Sequence, residues 1–417
     1  MATILELAEL SAAAYGCSPP QKKKPRFHVV AAQALLICVA LQIPVTGYCD
    51  SGSGLFKNLF ESKGRNMKEV AHKVTEMDEK YAELSPSALD FSPDGKYLAA
   101  NSDHDKINIW DWRSGRIVRT VEKTSGAEDS LATERLRFSP DGRLFVSCQG
   151  QGDGGVVARV WSTSTWALVR DITDSNHGSC SAVAFTPDEK SLIVVLDRPP
   201  ISPGDTLVVY DPSLWQPIWG LRTIPFYPKA LAISPDGKFA AIGGGKYDDK
   251  GTLTQQIALV DLEQRKIVRT IQNTVALDFG QLAWSPDGAH VAAIGRRAQD
   301  YSISKQAIVY HSGLDTLMIF DAHSGKQVAG EQLGDMTYSE DPGDIGNGYV
   351  RYTPDGRYLI EAVNNGLGSG SGVRIWDGQH RALLQEIPAK MNSLAVTRDG
   401  RYFAIGIQGK TQVWQLR

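Results

Sequence analysis

The sequence predicts an all-β fold: seven four-stranded antiparallel blades closed into a ring, a seven-bladed β-propeller. Three observations predict it. An alternating apolar stretch around a Ser/Thr-Pro-Asp-Gly turn recurs seven times, two of the copies degenerate. Each copy is followed by a further stretch that ends in an aromatic or apolar residue, usually with Asp after it. The last copy stops after that stretch, while a segment of matching character stands ahead of the first copy.

The first two strands of each blade come from the motif itself. It reads LDFSPDGKYLAA from Leu89, LRFSPDGRLFVS from Leu136, VAFTPDEKSLIV from Val183, LAISPDGKFAAI from Leu231, LAWSPDGAHVAA from Leu282, VRYTPDGRYLIE from Val350 and LAVTRDGRYFAI from Leu394. The shared aspartates are Asp94, Asp141, Asp188, Asp236, Asp287, Asp355 and Asp399, spaced by 47, 47, 48, 51, 68 and 44 residues. A period of that length marks a repeat architecture. Pro presets one turn dihedral, Asp caps the local backbone and Gly accepts positive φ, so each copy spells a β-hairpin. These residues are turn makers, and no catalytic role is expected of the seven aspartates.

The third strands are INIWD to Asp111, ARVWS to Ser162, LVVYD to Asp211, IALVD to Asp261, LMIFD to Asp321, VRIWD to Asp377 and TQVWQ to Gln415. A turn and a fourth strand follow in six cases, as in RSGRIVRTV from Arg113. Four short strands per unit make a propeller blade. This pattern resembles the WD40 family over residues 67–417, most faithfully at Trp110-Asp111 and Trp376-Asp377. No repeat keeps the Gly-His dipeptide of that family, so its buried Asp-His-Ser/Thr-Trp network is incomplete; in the first blade Ser102, Asp103 or Asp105, and Trp110 would fill three of its places. The resemblance is to a degenerate, WD40-like propeller. Met67 to Val74 supplies the missing fourth strand, and pairing beside Thr411–Trp414 would close the ring and remove an exposed edge. Trp110, Trp161, Trp376 and Trp414 are expected to pack between blades.

Ahead of the repeat, residues 1–27 read as a leader with an amphipathic helix, 28–49 as a signal anchor or signal peptide, and 50–66 as a linker. Lys-Lys-Lys-Pro-Arg at 22–26 precedes the apolar run from Val29 to Leu41. The positive-inside rule then leaves the leader cytoplasmic and carries the propeller to the periplasmic or extracellular side, membrane-anchored or exported. A cut after Gly47 satisfies the small-residue preference, and Val45 to Cys49 looks like the lipobox of bacterial lipoproteins, which would make Cys49 a lipidation site. An uncleaved transmembrane helix, a cleaved signal, a lipoprotein and a buried core helix all remain open readings.

Composition narrows the chemistry. With 44 Lys+Arg against 47 Asp+Glu, the formal net charge of -3 offers no basic stripe, and no nucleic-acid partner is expected. The five cysteines lack CxxC spacing. Cys148 and Cys180 pair if their neighbouring segments meet in an oxidising compartment, and are otherwise two small buried residues. No HExxH, His-x-His or GxSxG motif occurs, and Gly409-Lys410-Thr411 lacks the first glycine and the helix of a P-loop. No catalytic residue, metal ligand or cofactor is expected.

Function should sit on the face opposite the Pro-Asp-Gly turns, where the chain length varies. The insertions run from Gly243 to Gln256, Gly295 to Asp315 and Glu331 to Gly348, on the fourth to sixth blades. They offer Tyr247, Asp248, Arg296, Arg297, Tyr301, Tyr310, His311, Asp335, Tyr338, Glu340 and Asp341, and Arg and Tyr anchor many interfaces. The expected function is a non-enzymatic scaffold for unidentified protein partners, tethered to the membrane through residues 28–49 or exported. The alternatives are an enzyme or small-ligand binder using the mouth of the central channel, and a structural module of an envelope or secretion assembly.

Overall fold

The computed structural model describes residues 69–78, 86, 88–103, 106–122, 136–148, 155–175, 178–197, 204–222, 224, 226–247, 253–273, 278–303, 308–337, 348–363, 372–380, 382–407 and 409–417. Strand β1 (Ala71–Asp78) comes first. Blade 1 is β2 (Leu89–Phe91), β3 (Tyr97–Asp103), β4 (Lys106–Asp111) and β5 (Arg116–Glu122). Blade 2 is β6 (Leu136–Phe138), β7 (Leu144–Cys148), β8 (Val156–Ser162) and β9 (Leu168–Thr173). Blade 3 is β10 (Ser179–Phe185), β11 (Leu192–Asp197), β12 (Leu207–Asp211) and β13 (Gln216–Leu221). Blade 4 is β14 (Tyr227–Ile233), β15 (Phe239–Tyr247), β16 (Leu253–Asp261) and β17 (Lys266–Asn273). Blade 5 is β18 (Asp278–Trp284), β19 (His290–Ile303), β20 (Ile308–Asp321) and β21 (Gln327–Thr337). Blade 6 is β22 (Gly348–Tyr352), β23 (Tyr358–Val363), β24 (Gly372–Asp377) and β25 (Leu383–Pro388). Blade 7 is β26 (Met391–Val396), β27 (Tyr402–Ile407), β28 (Lys410–Leu416) and, as its outer strand, β1.

Each blade is an antiparallel four-stranded sheet, in chain order from inner strand to outer except in blade 7, where β1 is the outer strand. The inner strands β2, β6, β10, β14, β18, β22 and β26 touch one another in sequence, and β26 returns to β2. The core lies between blades rather than within them. Among the described residues, each buried cluster joins two neighbouring blades, as Leu89, Phe91 and Trp110 of blade 1 join Ala395, Ala404 and Val413 of blade 7. Such clusters occur at every junction round to blades 6 and 7. The four tryptophans at third-strand ends sit in these seams, as expected from packing: Trp161 lies with Ile107 and Ile109, and Trp376 with Ile294 and Leu317.

Closure uses the N-terminal strand, shifted along the chain from the expected segment. β1 pairs antiparallel with β28 from Ala71↔Leu416 to Asp78↔Lys410. Gln385 of blade 6 holds its start: Val70 N and Ala71 N each donate to Gln385 Oε1 at 2.7 Å, and Gln385 Nε2 donates to Ala71 O at 3.0 Å. Farther along, Glu76 accepts from Lys410 Nζ at 2.6 Å and Gln412 Nε2 at 2.8 Å. The Lys410 hydrogen bond leads the causes that pull the Glu76 carboxyl down to about 2.

Another link joins blades 2 and 3, where Cys148 on β7 and Cys180 on β10 form a disulfide with Cα atoms 5.4 Å apart. No helix among the described residues is long and apolar enough to cross a membrane. The leader, the anchor or signal segment with Gly47 and Cys49, and the linker lie outside the described residues.

The insertions behave differently from the expected loops. In blade 4 the chain from Gly243 onward continues β15, and residues up to Gln256 belong to β16. In blade 5 the segment 295–315 is largely strand, with β19 and β20 each 14 residues long. Backbone pairing explains the change: residues added symmetrically to both arms of an antiparallel hairpin extend the ladder and keep their N–H and C=O groups satisfied.

Candidate functional site

The Pro-Asp-Gly face is tied down by one repeated hydrogen-bond unit. In blade 1, Gly95 N donates to Ser92 O at 2.8 Å, Tyr97 N to Ser92 Oγ at 2.8 Å and Lys96 N to Asp94 Oδ1 at 3.0 Å. Ser92 Oγ donates in turn to Asp94 Oδ1. The same hydroxyl-to-carboxylate bond occurs in all seven blades, from Ser139, Thr186, Ser234, Ser285, Thr353 and Thr397. The motif thus conserves a hydroxyl and a carboxylate because each satisfies turn N–H groups that the ladder cannot reach. Gly95, Gly142, Gly237, Gly288, Gly356 and Gly400 take φ from 66° to 72°, and Glu189 holds 65° in the copy that lacks glycine.

The third-to-fourth-strand turns lie on that same face. Thr163 N donates to Arg143 O, Leu262 N to Lys238 O, Ala322 N to Ala289 O and Gly378 N to Arg357 O, each joining a blade's two turns. At Gly378 an added Cβ would fall 1.6 Å from Gly356 O, so only glycine permits that approach. The terminal Asp of the third strand caps its own turn: Asp211 Oδ1 accepts from Ser213 N at 2.7 Å, and Asp321 Oδ1 from Ser324 N at 2.6 Å. With both turn types bonded together, this face is uniform, as expected.

The opposite face carries the extended hairpins of blades 4 and 5. Tyr247 ends β15 opposite Leu253. Arg296 stands in register with Asp278 on β18 and Asp315 on β20. Arg297 and Asp335 both pair with Leu314, from opposite sides. Tyr301 pairs with Tyr310 near the hairpin tip, and His311 has no register partner on β19. Asp248, Tyr338, Glu340 and Asp341 lie outside the described residues. The register therefore brings Arg296, Arg297, Tyr301, Tyr310, His311 and Asp335 onto one three-stranded arm of blade 5, while Tyr247 stands on blade 4.

Two polar arrangements were missed by motif reading. The first is a buried network in blade 6. Trp376 Nε1 donates to Glu361 Oε2 at 3.1 Å, and Arg374 bridges Glu361 at 3.2 Å and Glu386 at 2.7 Å. Glu361 is fully buried. It gives the third-strand Trp of blade 6 a buried acidic partner. Its signal lay two residues before each third-strand Trp: Asn108, Arg159, Arg374 and Gln412 precede Trp110, Trp161, Trp376 and Trp414, whereas Val208, Ala258 and Met318 precede Tyr210, Val260 and Phe320.

The second arrangement lies on the inner strands, four residues before each turn aspartate. That column reads Asp90, Arg137, Ala184, Ala232, Ala283, Arg351, Ala395 round the ring. Phe138 N donates to Asp90 Oδ2 at 2.8 Å across the junction of blades 1 and 2. Burial pushes the Asp90 carboxyl up to about 6, against the pull of Arg137, the Phe138 N–H and Arg351.

Ring, blades and turn unit together define a WD40-like seven-bladed β-propeller with degenerate repeats. The family model for the WD domain, G-beta repeat, matches residues 83–111, the first blade up to its Trp-Asp pair. Similar proteins include SEC12-like protein 2 of Arabidopsis thaliana, 24% identical over 50% of this chain and 48% of that protein. Protein HIR1 of Yarrowia lipolytica is 23% identical over 54% of this chain and 18% of its own length. A WD repeat-containing protein of Synechocystis sp. is 33% identical over 27% of this chain and 31% of its own. The chain spans about half the length, or less, of these curated relatives.

Proposed function

We propose that this propeller is a non-enzymatic scaffold for protein partners, contacted through the face that carries the extended hairpins of blades 4 and 5. The observation that carries this reading is the asymmetry of the disc. One face is short and bonded turn to turn, while the other projects the paired arm of β19, β20 and β21 with its Arg, Tyr and Asp residues. A rigid platform with an irregular arm suits recognition, because little ordering entropy is lost on binding. The near-neutral charge favours proteins over nucleic acid as partners.

The same reading extends to location: the propeller is tethered through residues 28–49 or exported, on the non-cytoplasmic side. The basic cluster and apolar run support this, and so does the disulfide Cys148–Cys180, a bond that persists mainly in oxidising compartments. Replacing residues 299–312 by a two-residue turn shortens the arm without touching the ring. Crosslinking pull-downs from the native host should then lose the partners that the full chain captures, and an unchanged set of partners would sink the proposal. Fractionation with a tag at each end tests the tether: release of the propeller by a salt wash without any membrane-retained fragment would count against it.

A further inference from the structure

We propose that the rim of blades 1 and 2 lies on an anionic lipid surface, with Ile117, Val118, Leu168 and Val169 among the headgroups and Arg116, Arg119 and Arg170 on their phosphates. In each blade the outer strand carries one extra residue near the turn face, and that residue is apolar, as at Val118, Val169 and Val328. Lone exposed valines of this kind need no ligand. Blades 1 and 2 differ, because the residue ahead of the bulge is also an exposed aliphatic: Ile117 and Val118 are each 47% exposed, Leu168 44% and Val169 45%. In blade 4 the corresponding Ile267 packs into the core, and in blade 5 a glutamine, Gln327, stands there.

The charges point the same way. Arg116 and Arg119 bracket the pair on β5, Arg170 follows the pair on β9, and all three are exposed. Among the described residues none of the three forms an ion pair. Neighbouring acids are already engaged: Arg159 holds Asp171 at 3.1 Å, and Asp111 accepts from Ser114 N in its own turn. Glu122 stands at the far end of β5. The outer strand of blade 3, QPIWGL, carries no charge at all. Aliphatic side chains flanked by unpaired arginines match a headgroup region, where the apolar parts are buried and the guanidinium forks meet phosphate oxygens.

The chain also enters the disc beside this patch. β1, the outer strand of blade 7 next to blade 1, begins at its turn-face end: Ala71 pairs with Leu416, and Leu416 N donates to Arg401 O at 2.8 Å. The contact rests on the tether proposed above, since residues 50–68 would keep this rim within about 65 Å of the apolar segment when fully extended and roughly 25 Å as a coil. An acidic protein segment would complement the same charges, but the bulges disfavour strand addition at these edges. A fluid lipid surface conforms to a convex rim without a preformed groove. Edge-on contact leaves both faces of the disc open and puts the arm of blade 5 across the ring from the lipid.

Amide hydrogen exchange of the full chain, reconstituted in phosphatidylcholine vesicles with and without phosphatidylglycerol, tests the contact. Peptides spanning β5 and β9 should exchange at least about threefold more slowly in the anionic vesicles, with β21 unchanged. High salt should weaken this protection. Ile117→Ser with Val169→Ser, and separately Arg116→Gln with Arg170→Gln, should abolish it, whereas Val328→Ser, at the bulge of blade 5, should not; circular dichroism confirms each fold. Equal exchange in both vesicle types, or protection retained by both rim variants, would overturn the contact. Alkaline carbonate tests the tether separately. A chain retained through the wash with an unprotected rim keeps the tether and sinks the lipid contact, while an extracted chain whose rim was protected beforehand does the reverse. Loss of a crosslinked acidic protein by the rim variants, with exchange alike in both vesicle types, would assign the rim to a protein partner and overturn the proposal.

Discussion

The four third-strand tryptophans look alike in sequence and differ in how their indole N–H is met. Trp376 donates to the buried carboxylate of Glu361, and Trp414 donates to Gln412 Oε1 at 3.2 Å. Trp161 Nε1 has no hydrogen-bond partner among the described residues, although the Arg159 guanidinium lies 5.9 Å from its ring centre. Hydrogen bonds to charged groups contribute roughly 1.5–3 kcal/mol, and a buried carboxylate deprived of its donor is costly. Trp376→Phe is therefore expected to destabilise by about 2 kcal/mol more than Trp161→Phe, which removes an unsatisfied group along with its packing. Urea unfolding of the two variants measures the difference, and equal losses would mean that the Glu361 bond contributes nothing beyond packing.

Titration separates the turn aspartates from the ring aspartate. At Asp141 burial raises the pKa, but the Ser139 hydroxyl and the backbone and side chain of Arg143 outweigh it and hold the carboxyl at about 2. Asp188 and Asp287 are lowered chiefly by the Thr186 and Ser285 hydroxyls. A carboxylate depressed on folding contributes stability in full above its ordinary value near 3.8, and that contribution is lost as pH falls toward about 2. Asp90, raised to about 6, has the opposite sign: stability declines as pH rises from its ordinary value through that range. Asp141→Asn should flatten the acid limb, so that the urea midpoint falls less between about pH 5 and about pH 3 than in the parent. An identical slope in both proteins would contradict the assignment.

Among the strands, what the sequence made readable was the repeat, and what it hid was the bookkeeping of single residues. Ser/Thr-Pro-Asp-Gly turns and third-strand aromatics mark every hairpin because they are local chemistry. The outer strands show the limit. Each is bulged opposite the aromatic or apolar residue that ends the third strand, as between Ile109 and Trp110 or Val160 and Trp161. The extra residue is Val118, Val169, Ile218, Val268, Val328, Leu384 or Val74 round the ring. Six of these are exposed at 42–54%. An alternating pattern cannot announce a bulge, since the extra residue breaks the period of two. The bulge twists a long apolar edge away from strand addition. Likewise the ring level of Asp90, Arg137 and Arg351 appears only when the copies are stacked as a column, and the insertions read as loops because ladder extension leaves no motif. The closing strand was readable from the missing outer strand, but its span was not, and its start is held by Gln385, which lies in another blade. Gln385→Ala removes two acceptor contacts to Val70 and Ala71 and one donor contact, and should cost about 2–3 kcal/mol. Proteolysis near the N-terminal strand should accelerate in the same variant, whereas unchanged cleavage would place the closure elsewhere.

A ring whose core lies between blades is only as strong as its junctions, and the junctions here are closed by different means. Blades 7 and 1 share Trp110 and Phe91 with Ala395 and Ala404. Ser181 Oγ of blade 3 donates to Pro228 O of blade 4 at 2.8 Å, and Ser393 Oγ of blade 7 to Pro86 O, at the start of blade 1. Blades 2 and 3 alone among the described junctions are joined covalently, through cysteines 32 residues apart. Both sulfurs lie in the apolar seam with Val146, Val160 and Val194, so the bond is sheltered from exposed thiols. Closing a loop of that length restricts the unfolded chain by about 3–4 kcal/mol on the chain-entropy account. Cys148→Ala with Cys180→Ala keeps small apolar groups in the seam and removes the link. The double variant should unfold at lower urea by that order, and dithiothreitol should lower the parent's midpoint toward the variant's while leaving the variant unmoved. A parent indifferent to reductant, with mass spectrometry showing two free thiols in protein taken from its own compartment, would remove the disulfide and with it the support for an oxidising location.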